Sequence, residues 1–203
     1  LRVGGRYEFL DSIVSVGINT VDFEFSQGLS IFGGSRDGDP NLSRPAGDPK
    51  FFKATAEFQR LQRVTGMVNV LFAARGQLAN NALLSSEEFG VGGIQFGRGY
   101  DPSEIIGDDG FATKVEVQVN DPYQFEYLEN LQLFGFYDFG KGYNDDSTNG
   151  DNDDSLASTG LGMRTSITPQ TEGELLLAIP LTRNVETQRD QGARVLFSVN
   201  HEF

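Results

Sequence analysis

The chain has 203 residues, with 16 Lys and Arg against 29 Asp and Glu and a formal net charge of -13; that balance argues against nucleic acid as a partner, because neutralising phosphates needs a basic face. No cysteine is present, which excludes a disulfide scaffold, a thiolate metal site and a cysteine nucleophile. Apolar residues make up only 38%, yet 17 Phe and 6 Tyr are too many for a disordered chain, and no run approaches the ~20 apolar residues of a membrane helix.

Helical spacing is hard to find, whereas period-2 alternation recurs along the chain. A first strand is expected near 2–10. In 20–32, Val21, Phe23, Phe25, Leu29 and Ile31 alternate with Asp22, Glu24, Ser26 and Ser30. In 51–64, Phe52, Ala54, Ala56 and Phe58 oppose Lys53, Thr55, Glu57 and Gln59. In 68–78, Val68, Val70, Phe72, Ala74 and Leu78 oppose Asn69, Arg75 and Gln77, and in 111–119 Val115, Val117 and Val119 oppose Lys114, Glu116 and Gln118. A strand over 130–143 puts Leu131, Leu133, Tyr137 and Phe139 on one face and Gln132, Phe136 and Asp138 on the other. In 156–167, Leu161, Met163 and Ile167 oppose Ser158, Gly160, Gly162, Arg164 and Ser166; in 174–182, Leu175, Leu177, Ile179 and Leu181 oppose Glu174, Leu176, Ala178 and Pro180. The last segment carries Ala193, Val195, Phe197, Val199, His201 and Phe203 on one face. That is about nine strands, close to the length that a tilted membrane strand needs, roughly 9–11 residues.

A soluble sandwich would show the same alternation. Here, however, the second face holds full charges of both signs on strand after strand, which suits a wet lumen behind an apolar band facing lipid. The connections alternate as well. Those at 33–50, 79–110, 144–155 and 183–192 are long, and those at 64–67 and 168–171 are short, with a medium one at 120–129. Long outer loops and tight inner turns are the pattern of an outer-membrane barrel. The expected fold is therefore all-β, a transmembrane barrel portion with one very long loop. Leu1 is no initiator Met and no signal peptide is read in the chain, so 1–203 is expected to be a piece of a longer polypeptide.

The longest connection contains "FGVGGIQFGRGYDPSEIIGDDGF", residues 89–111. A phosphate-cradling loop would need a helix after its glycines, and "DPSEIIGDDG" leads into a strand instead. Glycine here lets a loop fold tightly against other backbone. The stretch 76–117 resembles a motif of the outer-membrane transporters of two-partner secretion, the haemolysin-activator or TpsB type, within the BamA-like superfamily. The resemblance is carried by Gly76 and Gln77; by Ser85, Ser86, Glu87, Phe89, Gly92 and Gly93; by Arg98, Gly99 and Tyr100; and by Gly107, Asp108 and Gly110. Where the family has Val before the Arg, this chain has Gly97, which is expected to loosen the tip without touching its charged partner. A second motif, Phe-x-Asp-x-Gly, is matched by Phe136, Asp138 and Gly140. The resemblance implies that loop 79–110 folds back into the lumen as a plug and that Arg98 pairs with Asp138. The alternation permits this independently, since Asp138 falls on the inward face. Phe136 and Tyr100 are expected to pack beside the pair.

The resemblance further implies export of a large secreted exoprotein of adhesin or haemolysin type through the pore, at the bacterial outer membrane. Partners would be that exoprotein, the lipid bilayer, and the barrel-assembly machinery acting through the C-terminal strand ending in Phe203. An assembly factor like BamA is the alternative function, and a passive porin or a soluble β-enzyme are further ones. The chain has fewer strands than the family's barrels, so it is expected to be the C-terminal portion, without the periplasmic domains. Other candidates read as ordinary lining. The acidic run 143–154 imitates a calcium loop, but a frame from Asp145 puts Leu156 where a bidentate carboxylate is required. "SRDGDPNLSRPAGDPK" is a Pro- and Gly-rich outer loop. His201, the only histidine, stands on the lipid-type face, and Glu172, Glu174, Glu116, Asp22 and Glu24 line the lumen. No catalytic residue, metal or cofactor is expected.

Overall fold

A computed structural model describes residues 1–31, 34–36, 38–121, 129–145 and 153–202. Nine long strands form one sheet: β1 (Arg2–Asp11), β2 (Gly17–Gln27), β3 (Phe52–Arg63), β4 (Val68–Ala79), β7 (Asp109–Asn120), β8 (Glu129–Tyr143), β9 (Asp154–Thr168), β10 (Thr171–Pro180) and β11 (Arg194–His201). Between β4 and β7 lies a small hairpin, β5 (Phe89–Val91) and β6 (Ile105–Gly107). Every long strand pairs antiparallel with its sequence neighbour, β4 and β7 included, and the sheet does not close on itself. The strand ends Gln27 and Phe52, Ala79 and Asp109, Tyr143 and Asp154, and Pro180 and Arg194 lie on one rim, and Asp11 and Gly17, Arg63 and Val68, Asn120 and Glu129, and Thr168 and Thr171 on the other. The short connections end in tight closures such as Val64 N–H to Val68 O at 2.9 Å.

The two faces are inverted relative to a soluble sandwich. The aliphatic face is the exposed one: Val115, Val117, Leu175, Leu177 and Phe197 all stand open. The face bearing Asp138, Glu116, Gln118 and Gln77 is buried. A water-soluble sheet would hide the hydrocarbon and wet the carboxylates; this distribution fits lipid outside and a packed polar interior. Aromatic pairs brace the outer face, among them Phe25–Phe52 at 6.2 Å and Phe111–Phe139 at 5.8 Å between centroids.

Several expectations shift in detail. β2 runs over Gly17–Gln27 rather than 20–32, because its ladders with β1 and β3 extend back to Gly17 and stop at Gln27; Leu29 and Ile31 fall outside it. Leu131 is buried rather than on the lipid face. The register slips between Glu129 and Gln132, and Asn130 adopts φ 53°, so the alternation starts cleanly only at Gln132. The hairpin β5–β6 is absent from the periodicity because three residues per arm cannot display a period. Phe203 and residues 146–152 of the acidic run lie outside the described residues.

Candidate functional site

The loop 80–108 turns inward and lies on the inner wall formed by β7–β10. Glycine on both partners makes the close approach possible. On the wall, a Cβ at Gly140 would meet Val91 Cγ1 at 2.5 Å, and one at Gly110 would overlap the Phe89 ring. The hairpin thus presses Phe89 and Val91 onto two bare patches of β7 and β8. At the loop tip, Gly92, Gly93 and Gly97 have φ of 127°, 82° and 99°, a region that costs a side-chain-bearing residue strain. Tip bonds close the turn: Gly92 N–H to Phe96 O at 2.8 Å and Tyr100 N–H to Gly97 O at 2.9 Å.

This tip presents Arg98 to two carboxylates. Its Nη2 and Nε donate to Asp138 Oδ1 and Oδ2 at 2.8 and 3.0 Å, a bidentate fork. The backbone N–H groups of Arg98 and Gly97 add 2.9 and 3.2 Å contacts to the same Oδ2. Gly97 thus touches Asp138 through its backbone N–H, a group that any residue but proline would supply, while its φ of 99° is one that a Val would adopt only with strain. Nη1 reaches Glu116 Oε2 at 2.6 Å. The guanidinium lies over the Phe136 ring, 3.6 Å from its centroid, and both Asp138 and Arg98 are buried.

Sequence reasoning missed the rest of this network. Glu116 also accepts from Arg164 at 2.7 Å and from Gln118 at 2.9 Å, and Arg164 continues to Glu174 and to Gln132 Oε1 at 2.9 Å. Arg164 lies over Phe134 at 3.9 Å from its centroid, repeating the Arg98–Phe136 stack one step along the wall. The two rings fit because Gly160 and Gly162 on β9 face them in register; a Cβ there would meet the rings at 2.6 and 2.3 Å. The signal existed as aromatic residues at 134 and 136 against glycines at 160 and 162, but it appears only once β8 and β9 are aligned.

The remaining motif residues tie the loop down elsewhere. Tyr100 is buried, and its hydroxyl bonds to Ala157 O and Thr182 Oγ1, both at 3.1 Å. Gly99 sits against Pro180 and Ser158, each 2.9 Å from where a Cβ would be. Glu87 pairs with Arg2 and Lys53 at 2.9 Å each. Asp108 accepts Arg44 and Leu83 N–H at 2.6 Å each. Gly107 passes over Tyr143, whose backbone would be 2.7 Å from a Cβ, and Gln77 donates to Glu87 O and Asp108 O at 3.1 and 3.0 Å. Asp101, bonded to the Thr187 hydroxyl and to Arg194 at 2.8 Å, is held below the usual carboxylate range by those partners. Glu88 is pushed up by burial, against the opposing pull of Arg44. His201 is exposed on the outer face, bonded to Thr171 at 2.9 Å. Among the described residues no group of three or more His, Asp or Glu is close enough to hold a metal ion.

The fold is similar to that of CdiB from Escherichia coli, with a TM-score of 0.77 at 19% identity over 100% of this chain and 36% of that one. At that identity the likeness is one of fold, and the chain spans about a third of that relative's length. No curated protein matches. The family model described as haemolysin secretion/activation protein ShlB/FhaC/HecB matches residues 10–165, well over half of the chain. This is a family of β-barrel transporters of Gram-negative outer membranes, not of enzymes, and it serves two-partner secretion. The chain belongs to the haemolysin secretion/activation family ShlB/FhaC/HecB.

Proposed function

We propose that this chain is the C-terminal portion of an outer-membrane barrel that exports a large secreted exoprotein of adhesin or haemolysin type, and that loop 80–108 is its removable plug. The observation that carries the reading is the Arg98 fork on Asp138 and Glu116: a buried latch between a loop and the wall, with every donor to Asp138 among the described residues coming from the loop. A permanent structural loop could be secured by apolar packing alone. A charged latch binds firmly while dry and weakens once water or a passing polar chain reaches it. The mixed charges along the remaining inner wall, such as Arg75, Glu57 and Asp22, would let an extended chain slide without a strong site of either sign. Export would need no nucleotide, with folding of the exoprotein outside supplying the drive. The apolar outer face fits a lipid bilayer as its surroundings, and assembly into the membrane would proceed through the C-terminal strand.

The test is secretion of the cognate exoprotein by the full-length transporter carrying Arg98→Ala. The expected result is strongly reduced export from a barrel that remains inserted, as judged by its resistance to unfolding in detergent below boiling. Undiminished export by the inserted variant would refute the plug reading.

A further inference from the structure

Among the described residues Asp138 accepts four hydrogen bonds, and the loop supplies all of them: two from the Arg98 guanidinium and one each from the backbone N–H of Arg98 and Gly97. The wall supplies none, although two wall donors flank the carboxylate in register. Lys114 on β7 stands directly opposite it on one side, and Ser158 on β9 on the other. Neither is engaged. The Lys114 ammonium has no hydrogen bond or ion pair among the described residues and rests over the ring of Phe96, 5.3 Å from its centroid. Ser158 is fully buried, and its hydroxyl has no hydrogen-bond partner among the described residues. A buried hydroxyl without a partner and a lysine beside, but not on, a carboxylate are both costly arrangements.

The loop explains both. Phe96 covers Lys114, Arg98 holds Asp138, and Gly99 lies against Ser158. All three belong to one tip, so its departure uncovers all three wall residues together. Glu116 would keep its wall partners Arg164 and Gln118, whereas Asp138 would be left an uncompensated charge, the most destabilising way to break such a pair. We propose that Lys114 and Ser158 are the reserve partners of Asp138: when the tip withdraws, the ammonium swings from Phe96 onto the carboxylate and the Ser158 hydroxyl donates to it. Residues directly opposite in a sheet have Cβ atoms about 5 Å apart, within reach of a lysine stem. A flexible ammonium with rotatable donors suits a group that changes partner, as a rigid guanidinium fork suits one that holds a single geometry. The device makes opening reversible.

This inference rests on the plug reading, so its test separates the two. In the full-length transporter, thermal unfolding in detergent is compared for the parent, Arg98→Ala, Lys114→Met and the double variant. Lys114→Met alone is expected to change the unfolding temperature little, because Arg98 already serves Asp138. In the Arg98→Ala background it is expected to lower it by about 4 °C or more, with Lys114→Arg restoring most of the loss and Ser158→Ala giving a smaller effect of the same kind. Lys114→Gln, which keeps the lumen polar, guards against a general folding defect and is expected to follow Lys114→Met. Equal shifts in both backgrounds overturn the proposal, whatever the pore does. Single-channel recording then reads the opening itself, where Lys114→Met is expected to shorten open dwell times several-fold, and unchanged dwell times overturn the proposal. A non-additive thermal cycle in a pore that Arg98→Ala opens no more than the parent would support the reserve pairing and discard the plug reading instead.

Discussion

The inner faces of β1–β4 and of β7–β10 both set acids and bases across from one another, and the two sets stand in different surroundings. On the first wall, Arg6 approaches Glu8 at 3.0 Å and Asp22 at 3.9 Å, with the Arg6 and Glu8 side chains mostly open to water and that of Asp22 43% exposed. On the second, the Arg98 and Asp138 side chains are 4% and 0% exposed. What separates them is the loop. It covers part of β7–β10 and dries the cluster of Arg98, Asp138 and Glu116, while much of β1–β4 keeps solvated charges and faces a cavity of about 620 Å³ between the wall and the base of the loop. Inward-facing charge is thus a general property of this wall, and a latch arises only where another segment removes the water. An exposed pair contributes about 0–1 kcal/mol, whereas breaking a desolvated one by removing a single partner costs about 3–5 kcal/mol.

The largest effect should come from the covered wall. Asp138→Ala leaves Arg98 with Glu116 alone and strands two backbone N–H groups, so a loss of about 3–5 kcal/mol of stability is expected in denaturant unfolding of the inserted protein. Combining it with Arg98→Ala should cost less than the sum of the two, since both remove one interaction. Tyr100→Phe sharpens the comparison within the loop itself. Its hydroxyl touches Ala157, Thr182 and Arg183 away from the charges, so a loss of about 1 kcal/mol is expected, with loosening near 181–193 detected by hydrogen exchange of those amides. The smallest change belongs to the open wall, where Arg6→Ala should alter stability by under about 0.5 kcal/mol and fade further at high salt. A loss at Arg6 comparable with that at Asp138 would erase the distinction between the two walls.

The sequence carries the long strands well because alternation is local: Val115–Glu116–Val117–Gln118 declares its two faces within four residues. It also carries Arg98 and Asp138, through the motif resemblance and through the parity of 138 with 132 and 136. The partners of Glu116 are written less plainly. Its link to Arg164 depends on β7, β8 and β9 being aligned at once, and a slip of one residue in β8 would send Asp138 outward. Leu131 shows such a slip at the strand's start, where parity alone put it on the wrong face. The hydroxyl partners of Tyr100, Ala157 and Thr182, were not legible, since a loop tip has no period and they lie on other parts of the chain. The glycines at 160 and 162 read as sheet spacers until the rings of Phe136 and Phe134 occupy the room they leave.

The most direct test of loop docking uses the absence of native cysteine. A Cβ built at Gly140 stands 3.3 Å from Val91 Cβ, near disulfide range, and replacing Val91 by cysteine also removes the methyl groups that would clash. In the full-length transporter, the pair Val91→Cys and Gly140→Cys should oxidise readily, stop export of the exoprotein, and regain it on addition of reductant. Thiols that stay free under oxidant, or export that continues with the bond closed, would contradict a plug seated on this wall.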